Sequence, residues 1–140
     1  MTPAPCTLPA AKAAIVHDHV RSKLNGDTAV QLDPSSVDEV VCAGDTMGVT
    51  IASGGTAGDI GYVLFRRTGA GWKAALVRGG YKVGLFRAGA DVVVSQPVYR
   101  ANDPNCCPSG GFDHFRWHWN GTRFTVARSW HTRSFRPYTT

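Results

Sequence analysis

Two adjacent cysteines stand in the run Asp103-Pro104-Asn105-Cys106-Cys107-Pro108-Ser109-Gly110-Gly111, a loop with almost nothing apolar in it. Cys6 and Cys42 bring the total to four, with neither CxxC spacing nor a cysteine–histidine ligand pattern. That points to disulfide chemistry in an oxidising compartment. Three arrangements are open at this level. Cys106 and Cys107 can each reach one of the distant cysteines, they can close a vicinal ring while Cys6 joins Cys42, or the thiols can stay free. The second is the expected pairing, because Cys6 precedes a helix and Cys42 lies on a strand that such a helix would cover.

The other reactive side chains do not assemble into a catalytic or metal centre. His114 and His118 share a strand face but lie roughly 13 Å apart at the strand rise, with Arg116 between them. His17 and His19, two residues apart on a helix, point to different sides. No carboxylate or cysteine completes a ligand set, so neither a metal nor a cofactor is expected. Ser53, Ser95, Ser109 and Ser129 lack the context of a nucleophile elbow. The clusters Ser53-Gly54-Gly55 and Gly79-Gly80 follow strands without opening a helix, so they cradle no phosphate. Asp45, Asp59, Asp91, Asp103 and Asp113 sit in or beside turns, where aspartate usually bonds its own backbone.

What remains is arginine. Arg100, Arg116, Arg123, Arg128, Arg133 and Arg136 crowd the last third, interleaved with Trp, His and Tyr. Guanidinium forks fit phosphate and carboxylate, and aromatic rings add stacking on sugars or bases. The candidate binding face is Arg100, His114, Arg116, His118 and Arg123, and an anionic envelope polymer or glycan is the expected partner. No nucleic-acid motif is present.

The elements that must position these residues follow from patterning. The chain has 140 residues, is 43% hydrophobic and carries a formal charge of +5, enough for one core. No apolar run approaches the ~18–20 residues of a membrane span. Residues 1–9 read as an irregular lead-in, 10–128 as a single α+β domain, and 129–140 as a basic tail with Trp130 tucked back. From Ala10, the spacing of Ala13, Val16, Val20 and Leu24 predicts a helix stopped by Asn25-Gly26. A loop from Asp27 to Asp38 turns at Asp33-Pro34-Ser35-Ser36. Period-two runs then predict strands over Val37–Ala43, Met47–Ala52, Tyr62–Arg67, Trp72–Arg78, Tyr81–Arg87 and Asp91–Tyr99. In the last hairpin Asn120-Gly121 suits a type I′ turn. It would set Trp119 opposite Thr122, Trp117 opposite Phe124 and Phe115 opposite Val126. One face would then be apolar, with Trp117 buried, and the other wet and basic, carrying His114, Arg116 and His118 with Arg123 and Thr125. The expected fold is an N-terminal helix packed on a twisted, mainly antiparallel sheet, a meander of six to eight strands.

At Pro97-Val98-Tyr99-Arg100 through Cys106-Cys107-Pro108-Ser109-Gly110-Gly111, followed by Arg116-Trp117-His118-Trp119-Asn120-Gly121, the chain resembles the LppP/LprE-type lipoproteins of the actinobacterial envelope and their secreted relatives. The resemblance spans about Val41 to Val126. It implies export, with lipid anchoring in some relatives, and brings no established activity. The resemblance implies that some relatives carry an Asp- and Gly-rich turn like a calcium loop after the second cysteine. Here that place reads Cys42-Ala43-Gly44-Asp45-Thr46-Met47-Gly48, with one carboxylate where calcium takes six to eight oxygens. The stretch Met1–Cys6 has neither the basic start nor the apolar core of a signal peptide. Thr2-Pro3-Ala4-Pro5 also lacks the leucine of a lipobox, so Cys6 is not expected to be acylated. The localisation expected is extracellular or cell envelope. The expected function is a non-catalytic envelope domain, binding through the basic-aromatic hairpin and the cysteine loop. The alternatives are a small enzyme or inhibitor with its site between that loop and the sheet, and a purely structural envelope protein.

Overall fold

A computed structural model describes residues 3–22, 30–55 and 58–138. One helix, α1 (Leu8–His17), opens the chain. It begins inside the expected lead-in because Thr7 caps it, its hydroxyl accepting from the Ala10 amide at 3.2 Å, with Pro9 in the first turn. It ends at Asp18, well short of Leu24, which lies outside the described residues together with Asn25-Gly26 and the start of the Asp27 loop. The buried stripe is Ala11, Ala14 and Ile15; Ala13 and Val16, expected inward, face out. Val20 is buried but follows the helix, past a left-handed His19.

A two-stranded ribbon follows, β1 (Arg21–Ser22) with β2 (Val30–Gln31). Asp33 then caps a short 3-10 turn over Pro34–Ser36, as the turn signal implies. The remaining strands form two four-stranded antiparallel sheets, not one meander. The first runs β3 (Val37–Ala43), β4 (Thr46–Ala52), β5 (Asp59–Thr68), β6 (Gly71–Gly79). The second runs β7 (Gly84–Ala88), β8 (Asp91–Pro97), β9 (Phe112–Trp119), β10 (Phe124–Thr132), each strand beside its sequence neighbour. The chain leaves the first sheet at Gly80-Tyr81-Lys82. Lys82 takes a positive φ of 52°, which breaks the extended run expected from Tyr81 and starts β7 three residues later.

The first sheet is the middle layer. Met47, Val49, Ile51, Val63, Phe65 and Trp72 meet α1 on one side. Tyr62, Leu64 and Leu76 meet Leu85, Val92, Val94 and Phe124 of the second sheet on the other. Covered on both faces, β4 and β5 lose the alternation of a half-buried strand. Gly48 is the point of closest approach, where a β-carbon would stand 3.0 Å from Leu85 and 3.3 Å from Leu64.

The N-terminal residues are tied to this layer at three points. Arg67 donates to the Ala4 carbonyl at 2.9 and 3.2 Å, and the Trp72 indole donates to the Pro5 carbonyl at 2.8 Å. Cys6 is bonded to Cys42, as expected. The other disulfide is vicinal, Cys106 to Cys107, so no cysteine is free.

Candidate anion-binding clefts

The β9–β10 hairpin positions most of the expected binding residues, and its register differs from expectation. Trp119 pairs with Phe124, His118 with Thr125, and Trp117 with Val126. Asn120 is the reason. Its side-chain oxygen accepts from the amides of Thr122 and Arg123 at 2.9 and 3.0 Å, which fixes it one place earlier in the turn than Asn-Gly pairing assumes. The partners shift by two residues, so the faces survive near the tip. Further along, a bulge between Val126 and Arg128 turns Arg128, Trp130 and Thr132 onto the face of Arg116 and His114. Trp117 is half-buried rather than buried, and donates to the Tyr62 hydroxyl at 3.1 Å.

That bulge removes His114 from the wet face. The side chain is 0% exposed, roofed by Trp130 at 5.4 Å between centroids. Thr132 donates to the Ser134 carbonyl at 2.7 Å, so it accepts from His114 Nε2 at 2.7 Å. The proton therefore sits on Nε2, and Nδ1 accepts from the Ser95 hydroxyl at 2.6 Å. Burial pushes the His114 pKa down, with Asp113 opposing and His131 adding to the fall. A serine–histidine pair thus exists that residue spacing did not reveal, since it depends on Ser95 and His114 facing each other across β8 and β9. Sealed from solvent, it is a satisfied interior chain and not a nucleophile.

Arg116 and His118 are committed as well. Asp91, its side chain 11% exposed, accepts from Arg116 Nε at 2.7 Å and meets His118 Nδ1 at 2.8 Å. Burial alone would raise the Asp91 pKa, but the bonds from Arg116 and His118, with their charges, carry it below the usual carboxylate value. The remaining tail residues cover this side of the sheet. Phe135 lies edge-on to Phe86 and Phe112, 5.5 Å from each, and directly over Gly84. The expected face of five residues is therefore not one face.

Arg123 belongs to a different group. It lines a cleft of about 520 Å3 with Arg66, Arg67, Lys73, Trp119 and Thr122, where the β5–β6 turn region meets the β9–β10 tip. Arg66 and Lys73 are direct cross-strand partners. The Arg66 guanidinium lies over the Trp119 ring at 5.3 Å, and Phe124 packs against that ring edge-on at 5.1 Å. Among the described residues Asp45 is the carboxylate in an ion pair with these cations, 2.8 Å from Arg67 and 3.8 Å from Arg66, and the Lys73 charge helps to lower the pKa of Asp18. Asp45 of the Gly44-Asp45 turn is thus engaged in ion pairs. Among the described residues, the Arg123 guanidinium makes no ion pair or hydrogen bond.

Arg100 lies in a second cleft, of about 490 Å3, between the cysteine loop and the end of β10. The loop is a built object. Asp103 Oδ2 accepts from the Arg100 amide, the Ser109 amide and the Ser109 hydroxyl at 2.7, 2.8 and 2.9 Å, which holds its carboxyl below the usual value. Val98 and Gly110–Gly111 close the neck through 2.9 Å backbone bonds. The Asn105 carbonyl accepts from Tyr99 and Lys82 at 2.6 Å each, and its side chain bonds Tyr81.

A third depression, of about 400 Å3, is lined by Glu39, Asp59, Lys82, Phe86 and Phe135. Burial and a hydrogen bond shared with Asp38 push the Asp59 pKa up to about 6, against a bond from Thr50. Bulges in β3 and β5 bring the two strands to the same Thr50 of β4, whose hydroxyl accepts from the Glu39 amide at 3.0 Å and bonds Asp59.

Fold and surface together define a disulfide-bonded, helix-covered pair of β-sheets bearing two cationic clefts. No family model matches the chain, and neither a curated protein nor a solved structure matches it.

Proposed function

We propose that the chain is an exported, non-catalytic domain of the cell envelope that holds an acidic polymer or acidic glycan across the Trp119 cleft. The observation that carries this reading is the charge imbalance there. Arg66, Arg67, Lys73 and Arg123 surround an aromatic floor; among the described residues Asp45 is the one carboxylate in an ion pair with them, and Asp18 is the further carboxylate that feels the Lys73 charge. Arginine forks and a tryptophan face suit a chain of sugar rings bearing phosphate or carboxylate. The two disulfides support an oxidising compartment. The resemblance of the cysteine loop and hairpin to actinobacterial envelope lipoproteins supports the same location. Among the described residues no helix is long and apolar enough to cross a membrane.

Retention on an anionic wall polymer and on heparin is the test. Lys73→Glu/Arg123→Glu should weaken binding at least ten-fold at low salt, and wild-type binding should fall steeply as salt is added. Lys12→Glu/Arg87→Glu makes the same change in net charge elsewhere and should keep most of the binding. Equal loss in both variants would reduce the effect to overall basicity and sink the site.

A further inference from the structure

The cleft beside the cysteine loop shares no residue with the Trp119 cleft. Its rim carries two guanidinium groups, Arg100 and Arg133, both exposed, and neither forms an ion pair among the described residues. Of the acids nearby, Asp113 pairs with His131 at 2.8 Å, and Asp103 spends Oδ2 on three donors while the Arg100 charge helps hold its carboxyl below the usual value. His131 Nδ1 is taken by that pair, which leaves Nε2 on the cleft side close to Gly111. Gly111 has a φ of +75°, and a β-carbon there would stand 2.6 Å from Nε2, so a glycine keeps this wall open. Pro108 and Phe112 supply an apolar wall.

We propose that this cleft is a second binding site, for a phosphate ester whose oxyanion is held between Arg100 and Arg133 and whose organic body rests on Pro108 and Phe112. Two guanidinium forks on the wall of one cleft suit the several oxygens of a phosphate better than a lone carboxylate. The Cys106–Cys107 disulfide has a positioning role. It fixes the two residues immediately before Pro108, while the bonds of Ser109 to Asp103 and the Val98 neck hold the residues immediately after it.

Amide spectra titrated with phenyl phosphate at constant ionic strength test this. Shifts are expected at Gly110, Gly111 and Phe112. Arg100→Gln and Arg133→Gln should each raise the dissociation constant at least ten-fold. Arg100→Lys, which keeps the charge and loses the fork, should raise it about three-fold. Arg123→Gln, in the other cleft, should stay within two-fold. Cys106→Ser/Cys107→Ser, with Cys6–Cys42 intact, should weaken binding at least ten-fold, and an unchanged constant would remove the disulfide from the account. Vesicles of phosphatidylglycerol form the second arm. Arginine-dependent binding to vesicles but not to phenyl phosphate supports the site and assigns the ester to a lipid headgroup. Binding in neither arm, or binding indifferent to both arginines, overturns the site. Loss of the Trp119-cleft function leaves these outcomes untouched.

Discussion

His114 and Asp59 are two groups whose protonation the fold holds away from ordinary values, in opposite senses. Burial lowers the His114 pKa below 6.5, so on acidification the unfolded chain takes up that proton first. The stability this contributes is complete above about 6.5 and drains away as pH falls toward the lower folded value. Asp59 behaves the other way. Its folded pKa of about 6 lies above the ordinary 3.8, so the folded chain keeps a proton that the unfolded chain has released. That contribution is complete at low pH and is lost as pH rises through about 6. Between about pH 6.5 and 4 the two oppose each other. Acidification over that range should therefore cost the wild type less stability than His114 alone would take. Asp59→Asn should be more stable than wild type at pH 7 and should lose stability more steeply on acidification. An unaltered slope would mean that burial and Asp38 do not hold a proton on Asp59 in the folded chain. Little of this was legible at the residue scale. The types were visible, but Ser95, His114 and Thr132 meet only through the pairing of three strands, and Arg116 becomes structural only because Asp91 is sheltered beside it.

At the scale of elements, strand existence was legible and register was not. The hairpin at residues 88–91, the turn at 68–71 and the strands of the first sheet follow directly from period-two runs and turn residues. The β9–β10 register was missed because Asn120 can serve a turn in two ways, and the choice is made by its side-chain bonds. The bulge at Ala127 carries no sequence signal, yet it decides that Trp130 and Thr132 roof His114. The helix was placed late because Leu8 and Pro9 read as irregular, whereas the Thr7 cap makes them its first turn. The tail illustrates how local packing reaches the interior. A β-carbon at Gly84 would fall 2.2 Å from the Phe135 ring, so the ring itself must move to admit it. Gly84→Ala should displace Phe135 and loosen residues 133–138, admitting water toward Thr132 and His114. The His114 ring should then titrate at higher pH than in the wild type, followed by its proton shifts in NMR spectra. Unchanged titration would show that the roof of Trp130 and Thr132 holds without the tail.

Over the whole molecule, the two disulfides do different work, and loop length separates them. Cys6–Cys42 links the start of the chain to β3 with a sequence separation of 36, joining the helix layer to the middle sheet. In the chain-entropy account, closing a loop of that size stabilises the fold by about 3–4 kcal/mol, through the freedom it removes from the unfolded chain. Cys106–Cys107 joins neighbours and closes no loop in that sense, so it removes almost no such freedom. Its effect is confined to the shape of an exposed loop already tied down by Asp103, Asn105 and the Val98 neck. Cys6→Ser/Cys42→Ser should therefore lower the unfolding free energy by about 3–4 kcal/mol, measured by denaturant at constant pH. Cys106→Ser/Cys107→Ser should leave it within about 1 kcal/mol of the wild type while altering the amide spectrum from Val98 to Gly111. Equal losses in the two variants would mean that the cysteine loop belongs to the cooperative core. In that case its disulfide would be a structural staple, and the shape of the neighbouring cleft a by-product of stability.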